Sequence, residues 1–154
     1  MYNIRNVTED IVWIGANDRR LALFENIFPI PEGVSYNSYL LKDEKTVLLD
    51  TADSAVAGQF FENLEAALDG RTLDYIVINH MEPDHCALLA DVLRRYPDAV
   101  LVGNAKTFTI VSGFFGLENV KRMTVKEGDS LVTGKHTLYF FFAPPPRCLT
   151  VILP

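Results

Sequence analysis

Cysteine, histidine and tryptophan are scarce in this chain: two, three and one in 154 residues. Cys86 and Cys148 stand far apart with no Cys-x-x-Cys or Cys/His spacing, which excludes a disulfide-built scaffold and a zinc finger and fits a reducing compartment. Basic side chains are outnumbered, 14 against 20 acidic ones for a formal net charge of −6, and they form no cluster. A nucleic-acid backbone or an anionic membrane surface has nothing to grip. No apolar run approaches the ~18 residues of a membrane span, and Met1-Tyr2-Asn3-Ile4-Arg5 runs into Glu9 and Asp10 rather than into the apolar stretch of a signal peptide. The sequence therefore reads as cytoplasmic. Repeats, low-complexity tracts and linkers are absent as well, so one domain is the ceiling. What remains, 49% hydrophobic and 11% aromatic, is enough apolar material to bury a core.

The first third is patterned as short strands: Ile11 to Ile14, Leu21 to Phe24, Tyr36 to Leu41 and Thr46 to Leu49, the last two joined by the polar Lys42-Asp43-Glu44-Lys45, an antiparallel meander. Asp53 or Ser54 can cap a helix whose apolar residues Val56, Phe60, Phe61, Leu64 and Leu68 recur at helical spacing up to Gly70. Tyr75 to Ile78 is apolar on consecutive residues, as a strand covered on both faces would be. A helix marked by Leu88, Leu89, Val92, Leu93 and Tyr96 stops at Pro97, a strand spans Ala99 to Val102, and a helix from Ala105 to Phe115 ends at Gly116. Strand candidates Lys121 to Val125 and Thr137 to Phe142 follow. Helices alternating with strands after a strand-only start predict an α/β or α+β fold, helices packed on a mixed sheet.

Asn79-His80-Met81-Glu82-Pro83-Asp84-His85 places four metal-ligand side chains, His80, Glu82, Asp84 and His85, within six residues at the carboxyl end of the buried strand, where α/β folds put their chemistry. Pro83 restricts its own φ and pushes Glu82 out of the helical region, so the segment is expected to be non-helical, with His80, Glu82 and Asp84 converging. Adjacent Asp84 and His85 point different ways, which favours two metals sharing one loop. Imidazole mixed with carboxylate suits iron or manganese at least as well as zinc. The plainer alternative is a solvated polar turn, against which stands the placing of two of the three histidines beside two carboxylates.

The run His80-x-Glu82-x-Asp84-His85 resembles the first metal motif of the metallo-β-lactamase superfamily, His-x-His-x-Asp-His, with Glu82 where the hydrolases carry a second histidine. With Leu23-Phe24-Glu25, the segment Pro31-Glu32-Gly33-Val34-Ser35-Tyr36-Asn37-Ser38-Tyr39 and Leu49-Asp50-Thr51, the chain to about Pro144 resembles the flavodiiron proteins, or A-type flavoproteins. The resemblance implies a metallo-β-lactamase-like αββα sandwich. It also implies a non-heme diiron site reducing dioxygen to water or nitric oxide to nitrous oxide, with His80 and Glu82 on one iron and Asp84 and His85 on the other. Family members continue into a flavodoxin-like domain binding FMN, act as head-to-tail homodimers in which one subunit's flavin faces the other's iron, and are often fed by rubredoxin.

The family's Ala-Pro-x-x-His-Trp-Pro segment, its bridging aspartate and its last histidine have no counterpart. After Ala143-Pro144 comes Pro145-Pro146-Arg147-Cys148-Leu149, with Arg147 at the ligand position, and a guanidinium has no lone pair to give. The expectation is an N-terminal part of a lactamase-like diiron domain over 1–144, a divergent tail over 145–154 and no flavodoxin-like domain, with incomplete iron binding and no activity alone. A sandwich incomplete at the C-terminus would leave inner-face residues Val47, Leu49, Ile76, Ile78 and Val100 partly uncovered and the monomer marginal. Two other readings stand beside this one: a metal-dependent hydrolase of the lactamase type that activates a metal-bound water, against which Glu82 argues, and a non-catalytic fragment paired with a partner that supplies the missing ligands.

The remaining candidates read more simply. His136 lies ~20 Å along its strand from the site and reads as a solvated turn residue rather than a ligand. Cys86 reads as a small packed residue opening a helix, and a Cys148 thiolate is a poor choice for a carboxylate-rich iron site. Asp50, at a strand end, either accepts a hydrogen bond from a ligand histidine or serves a plain turn. Trp13, Phe114 and Phe115 are expected in the core, and Tyr36 and Tyr39 on the sheet.

Overall fold

The computed structural model describes residues 1–154 except Glu25, Glu118, 144–147 and 153–154, and gives only the backbone of 148–152. Strand direction divides the main sheet in two. Strands β1 (Arg5–Asn6), β2 (Ile11–Trp13), β7 (Tyr39–Lys42) and β8 (Thr46–Leu49) pair antiparallel, and β8 then starts a parallel run with β9 (Tyr75–Val77), β10 (Val100–Gly103) and β11 (Arg122–Thr124). Parallel neighbours need crossovers, and helices supply them: α1 (Ala57–Leu68) between β8 and β9, α2 (Pro83–Cys86) and α3 (Leu89–Arg95) between β9 and β10, and α4 (Ala105–Phe115) between β10 and β11.

Side-chain alternation sorts the core into two layers. Leu48 lies opposite Ile76 in the β8–β9 ladder, and both join Leu40, Leu101 and the helical residues Phe60, Leu64, Leu89, Val92 and Val111 in one cluster. The opposite face of the same strands carries Leu41, Val47, Val77 and Val102, packed against Leu131, Leu138 and Phe140. Those last residues belong to a second sheet of β12 (Ser130–Val132), β13 (Thr137–Ala143) and β14 (Cys148–Ile152). The order is thus helices, seven-stranded sheet, three-stranded sheet. Of the five inner-face residues expected to be partly uncovered, Leu49 and Val100 are half-buried, whereas Val47, Ile76 and Ile78 are fully buried, because Ile76 and Ile78 face the helices and Val47 already lies under the second sheet. Exposed apolar side chains sit instead on that sheet, at Val132, Tyr139 and Phe141.

Local chemistry explains most boundaries. The Asp53 carboxylate accepts from Ala55 N at 2.7 Å and caps a 3-10 turn, Ser54–Val56, that leads into α1, and left-handed Asp69 and Gly70 end it. Asn104 Oδ1 accepts from Thr107 N at 2.9 Å to start α4, which left-handed Gly116 stops at the expected residue. The first third departs from a simple meander. β4 (Leu23–Phe24) pairs only with β5 (Phe28–Pro29), and the run Tyr36 to Leu41 is split between β6 (Val34–Tyr36), paired with β3 (Ala16–Asp18), and β7 in the main sheet. The break falls at Asn37 and Ser38, whose groups are engaged elsewhere: Asn37 Oδ1 accepts from Trp13 Nε1 at 3.0 Å, and Ser38 O accepts from Ile14 N at 2.9 Å.

Three single-residue expectations are corrected. Trp13 is only half-buried, its indole N–H spent on Asn37 at the surface. Phe114 is 83% exposed although its neighbour Phe115 packs on the core. His136 is no solvated turn residue: its Nε2 pairs with the Asp10 carboxylate, and its amide donates to Asp43 Oδ2 at 2.8 Å.

Candidate metal centre

The candidate loop begins where β9 leaves the sheet. Ile78 is still fully buried and its amide donates to Val102 O, after which Asn79 to Glu82 run without regular structure. Glu82 is extended, at φ −76° and ψ 151°, as a residue before proline should be. Beyond it the expectation of a non-helical segment fails. Pro83 opens the short helix α2, a place where its missing N–H costs nothing, and Cys86 N and Ala87 N donate to Glu82 O and Pro83 O at 3.0 and 2.9 Å. His80 and Glu82 therefore project from an extended segment, and Asp84 and His85 from a helical turn.

The four side chains come together as two pairs. His80 Nε2 lies 2.8 Å from Glu82 Oε1, and His85 Nε2 lies 3.5 Å from Asp84 Oδ2. The two imidazoles meet edge to face with centroids 5.7 Å apart. Glu82 is half-exposed, and the other three side chains are between 23% and 34% exposed, open enough for ions and small ligands to reach them. Among the described residues no three His, Cys, Asp or Glu side chains are grouped so as to hold a metal ion; the four candidate side chains stand as two separate pairs.

Residues leaving β8 hold the loop in place. Asp50 Oδ2 lies 3.1 Å from His85 Nδ1, which makes it the hydrogen-bond acceptor of a candidate ligand rather than a plain turn residue. That bond, opposed by partial burial and reinforced by the charges of Asp50, Asp84 and Glu82, holds the His85 imidazole above its ordinary pKa. Thr51 donates to His85 O twice, from its amide at 2.7 Å and its hydroxyl at 2.9 Å. Cys86 ends α2 rather than opening a helix. It is buried, and burial pushes its thiol up to about 11, with Asp50 and Asp84 adding to the effect, so no thiolate is offered to a metal. Arg147 lies outside the described residues, as does the side chain of Cys148.

Two concavities flank the pairs. A cleft of about 220 Å³ lined by Leu21, Phe24, Tyr36, Asp53 and Pro83 reaches Asp84. Tyr36 is buried, and burial, with the charges of Asp53, Asp18 and Asp84, pushes its phenol up to about 12, so it stays a neutral donor there. On the other side Met81, Cys86, Ile110, Phe114 and Phe115 form an apolar groove. Sequence reasoning missed Asn79, Ser38 and Thr51, and the available signal was a polar residue directly after an apolar strand for Asn79, two residues past one for Thr51 and directly before one for Ser38.

A sequence profile described as ODP family beta lactamase matches residues 34–145. The anaerobic nitric oxide reductase flavorubredoxins of Pectobacterium atrosepticum and Aliivibrio fischeri are 36% and 33% identical to the chain over 141 residues, 91% of this chain and 28% of each of theirs. Among solved structures, the flavodiiron protein of Giardia intestinalis superimposes with a TM-score of 0.91 at 26% identity, over 99% of this chain and 38% of its own. The rubredoxin oxygen:oxidoreductase of Desulfovibrio gigas does so with a TM-score of 0.91 at 25% identity, over 98% of this chain and 38% of its own. The chain spans about 28% of the length of the curated relatives it matches.

Proposed function

Because the chain belongs to the ODP family of beta-lactamases and has the fold of the flavodiiron proteins, we propose that it forms the lactamase-like part of a flavodiiron oxidoreductase reducing dioxygen to water or nitric oxide to nitrous oxide. The observation that carries this reading is the pairing at the carboxyl end of β9, His80 with Glu82 and Asp84 with His85. A donor set of two imidazoles and two carboxylates fits iron by its chemistry. His80 and Glu82 would hold one iron and Asp84 and His85 the other. When bound, a diiron pair supplies electrons and Lewis acidity to the bound gas molecule.

The chain's own residues do the rest. Asp50 orients His85, and Thr51 clamps the carbonyl of His85. With two protein donors per metal, iron binding by this portion is weak and incomplete, and reduction needs ligands and electrons from elsewhere in the assembly. For that assembly the FMN-binding flavodoxin-like domain, the head-to-tail homodimer, a rubredoxin-type donor and a cytoplasmic setting are proposed with it. No helix among the described residues is long and apolar enough to cross a membrane.

Anaerobic Fe(II) titration of the chain, followed by metal analysis and assays of oxygen consumption, nitric oxide consumption and β-lactam cleavage, tests the reading. It predicts iron well below two per chain, a further fall in iron in Glu82→Ala, which removes a donor from one of the two pairs, and no turnover by the chain alone. Preference for zinc together with lactam cleavage would overturn it in favour of a hydrolase.

A further inference from the structure

The carboxylate of Asp50 is fixed more firmly than a turn requires. Its backbone sits in the left-handed region at φ 58°, a conformation that a non-glycine residue keeps only where its surroundings impose it. Its amide donates to Val77 O at 2.9 Å, and its carbonyl accepts from Ser38 Oγ at 2.8 Å. Its carboxylate takes two bonds from one residue: Oδ1 accepts from the Asn79 amide at 2.7 Å and Oδ2 from Asn79 Nδ2 at 3.2 Å. Oδ2 is also the oxygen that faces His85 Nδ1.

The chemistry of these contacts is one-directional. A carboxylate only accepts, so a neutral His85 bonded to it must carry its hydrogen on Nδ1, which leaves the lone pair on Nε2, the atom on the Asp84 side. Asn79 must turn its NH2 toward Asp50, since the flipped amide would set oxygen against oxygen. The backbone bond from Asn79 survives replacement of its side chain, whereas the Nδ2 bond does not. Without the second bond the carboxylate can rotate and Oδ2 leaves the imidazole.

We propose that Asn79 is a positioning residue for the metal site: its side-chain amide locks the rotation of the Asp50 carboxylate, which keeps His85 in the Nδ1–H tautomer with Nε2 free for a metal. The proposal rests on the reading of His85 as a ligand, but its first readout needs no metal. Asp50, bonded directly to the candidate ligand, is the kind of partner whose loss changes metal affinity roughly 10–100-fold; Asn79 acts one bond further out, through Asp50, and its loss should cost less.

The test compares the full chain as wild type, Asn79→Ala and Asn79→Leu, the last keeping most of the side-chain volume in case the alanine variant fails to fold. Imidazole ¹⁵N NMR, at a pH where His85 is neutral, is expected to show a single Nδ1–H tautomer in the wild type and a mixture in folded variants whose melting temperature is little changed. Co(II) titration followed by its visible absorption should show the affinity falling several-fold, short of the roughly 10–100-fold that loss of a direct partner of the ligand would cause. A folded variant that retains the single tautomer overturns the proposal whatever its metal affinity. If the wild type takes up no Co(II) while the tautomer still shifts, the metal reading fails and the positioning of His85 by Asn79 stands.

Discussion

Asp43 joins the two sheets, and replacing it by asparagine should show how much that joint contributes. The residue follows β7, is 8% exposed, and gathers four donors: Thr133 Oγ1 and the His136 amide on Oδ2 at 2.8 Å each, and the Lys135 and Glu44 amides on Oδ1 at 3.1 and 2.8 Å. Thr133, Lys135 and His136 belong to the second sheet or to its β12–β13 turn, so these bonds fasten that layer to the first. Asp43→Asn keeps the shape but turns an NH2 group toward one pair of donors. Two charge-assisted bonds are lost, each contributing about 1.5–3 kcal/mol; with partial relaxation about 3 kcal/mol of destabilisation is expected. In a chain of this length that is a fall of roughly 6–12 °C in melting temperature. Burial alone would raise the Asp43 carboxyl, but the donors outweigh it and hold it well below the usual carboxylate range. A depressed folded pKa gives stability that is present above the unfolded value of about 3.9 and is lost as pH falls through the folded value. Urea melting of both proteins at pH 7 and at successively lower pH is the assay: the gap between them should be widest near neutrality and narrow in acid. A gap below about 0.5 kcal/mol at pH 7, or one that widens with acid, would refute the assignment of the joint to a charged Asp43.

Gly134→Ala should act on the same joint, because the added Cβ would lie 2.6 Å from Asp43 Oδ1 at a φ of +138°; its urea-melting loss and that of Asp43→Asn should be clearly non-additive, and strict additivity would separate the two sites. Gly15→Ala places a Cβ 1.9 Å from Tyr36 O and 2.9 Å from the Trp13 ring, so about 3 kcal/mol of destabilisation is expected, and an unchanged urea midpoint would contradict the β3–β6 packing. Phe114→Ser should shift the same midpoint by less than about 0.5 kcal/mol, a larger loss meaning that this ring is covered. In a Cys148→Ser background Cys86 should react with a thiol reagent only as fast as the chain unfolds, and labelling at the rate of a free thiol would show an open α2.

Features governed by neighbouring residues were legible before the fold was known. Tyr75 to Ile78 is apolar without alternation because both its faces are covered, by the helices and by the second sheet. Asp53, Gly70 and Gly116 mark helix ends through bonds and dihedrals that span a few residues. What escaped depends on distant partners. His136 sits in a sequence that looks like a solvated turn, yet its partner Asp10 is 126 positions away. Asn63 interrupts the apolar face of α1 and is nonetheless fully buried, its amide donating to Ile14 O and Gly15 O and accepting from Asn3 N and Gln59 Nε2. Phe114 has the same helical spacing as a core residue, and spacing alone cannot say whether anything lies over it. The metal loop was legible in composition but not in conformation, since Pro83 restricts Glu82 and starts a helix with the same ring.

The direction of the central strands accounts for where donors and joints sit. β8 and β9 run parallel with Leu49 opposite Val77, so both leave the sheet at one edge, and Asp50 meets Asn79 and His85 across 29 and 35 positions of sequence. β7 is antiparallel to β8 with Tyr39 opposite Leu49, so the chain enters β7 at that same edge, which is why Ser38 reaches Asp50 O. The opposite edge collects the exit from β7 and the entries to β8 and β9. There Asp43 binds Thr133 and His136, and Asp74 accepts from Thr46 N and Lys45 Nζ. Carboxyl-end loops thus hold the candidate metal ligands, as α/β sheets generally arrange, and the other end holds bonds between layers. A mutation at one end reaches the other only through the buried strands themselves, so Asp43→Asn should lower stability while leaving the metal stoichiometry of the folded chain unchanged.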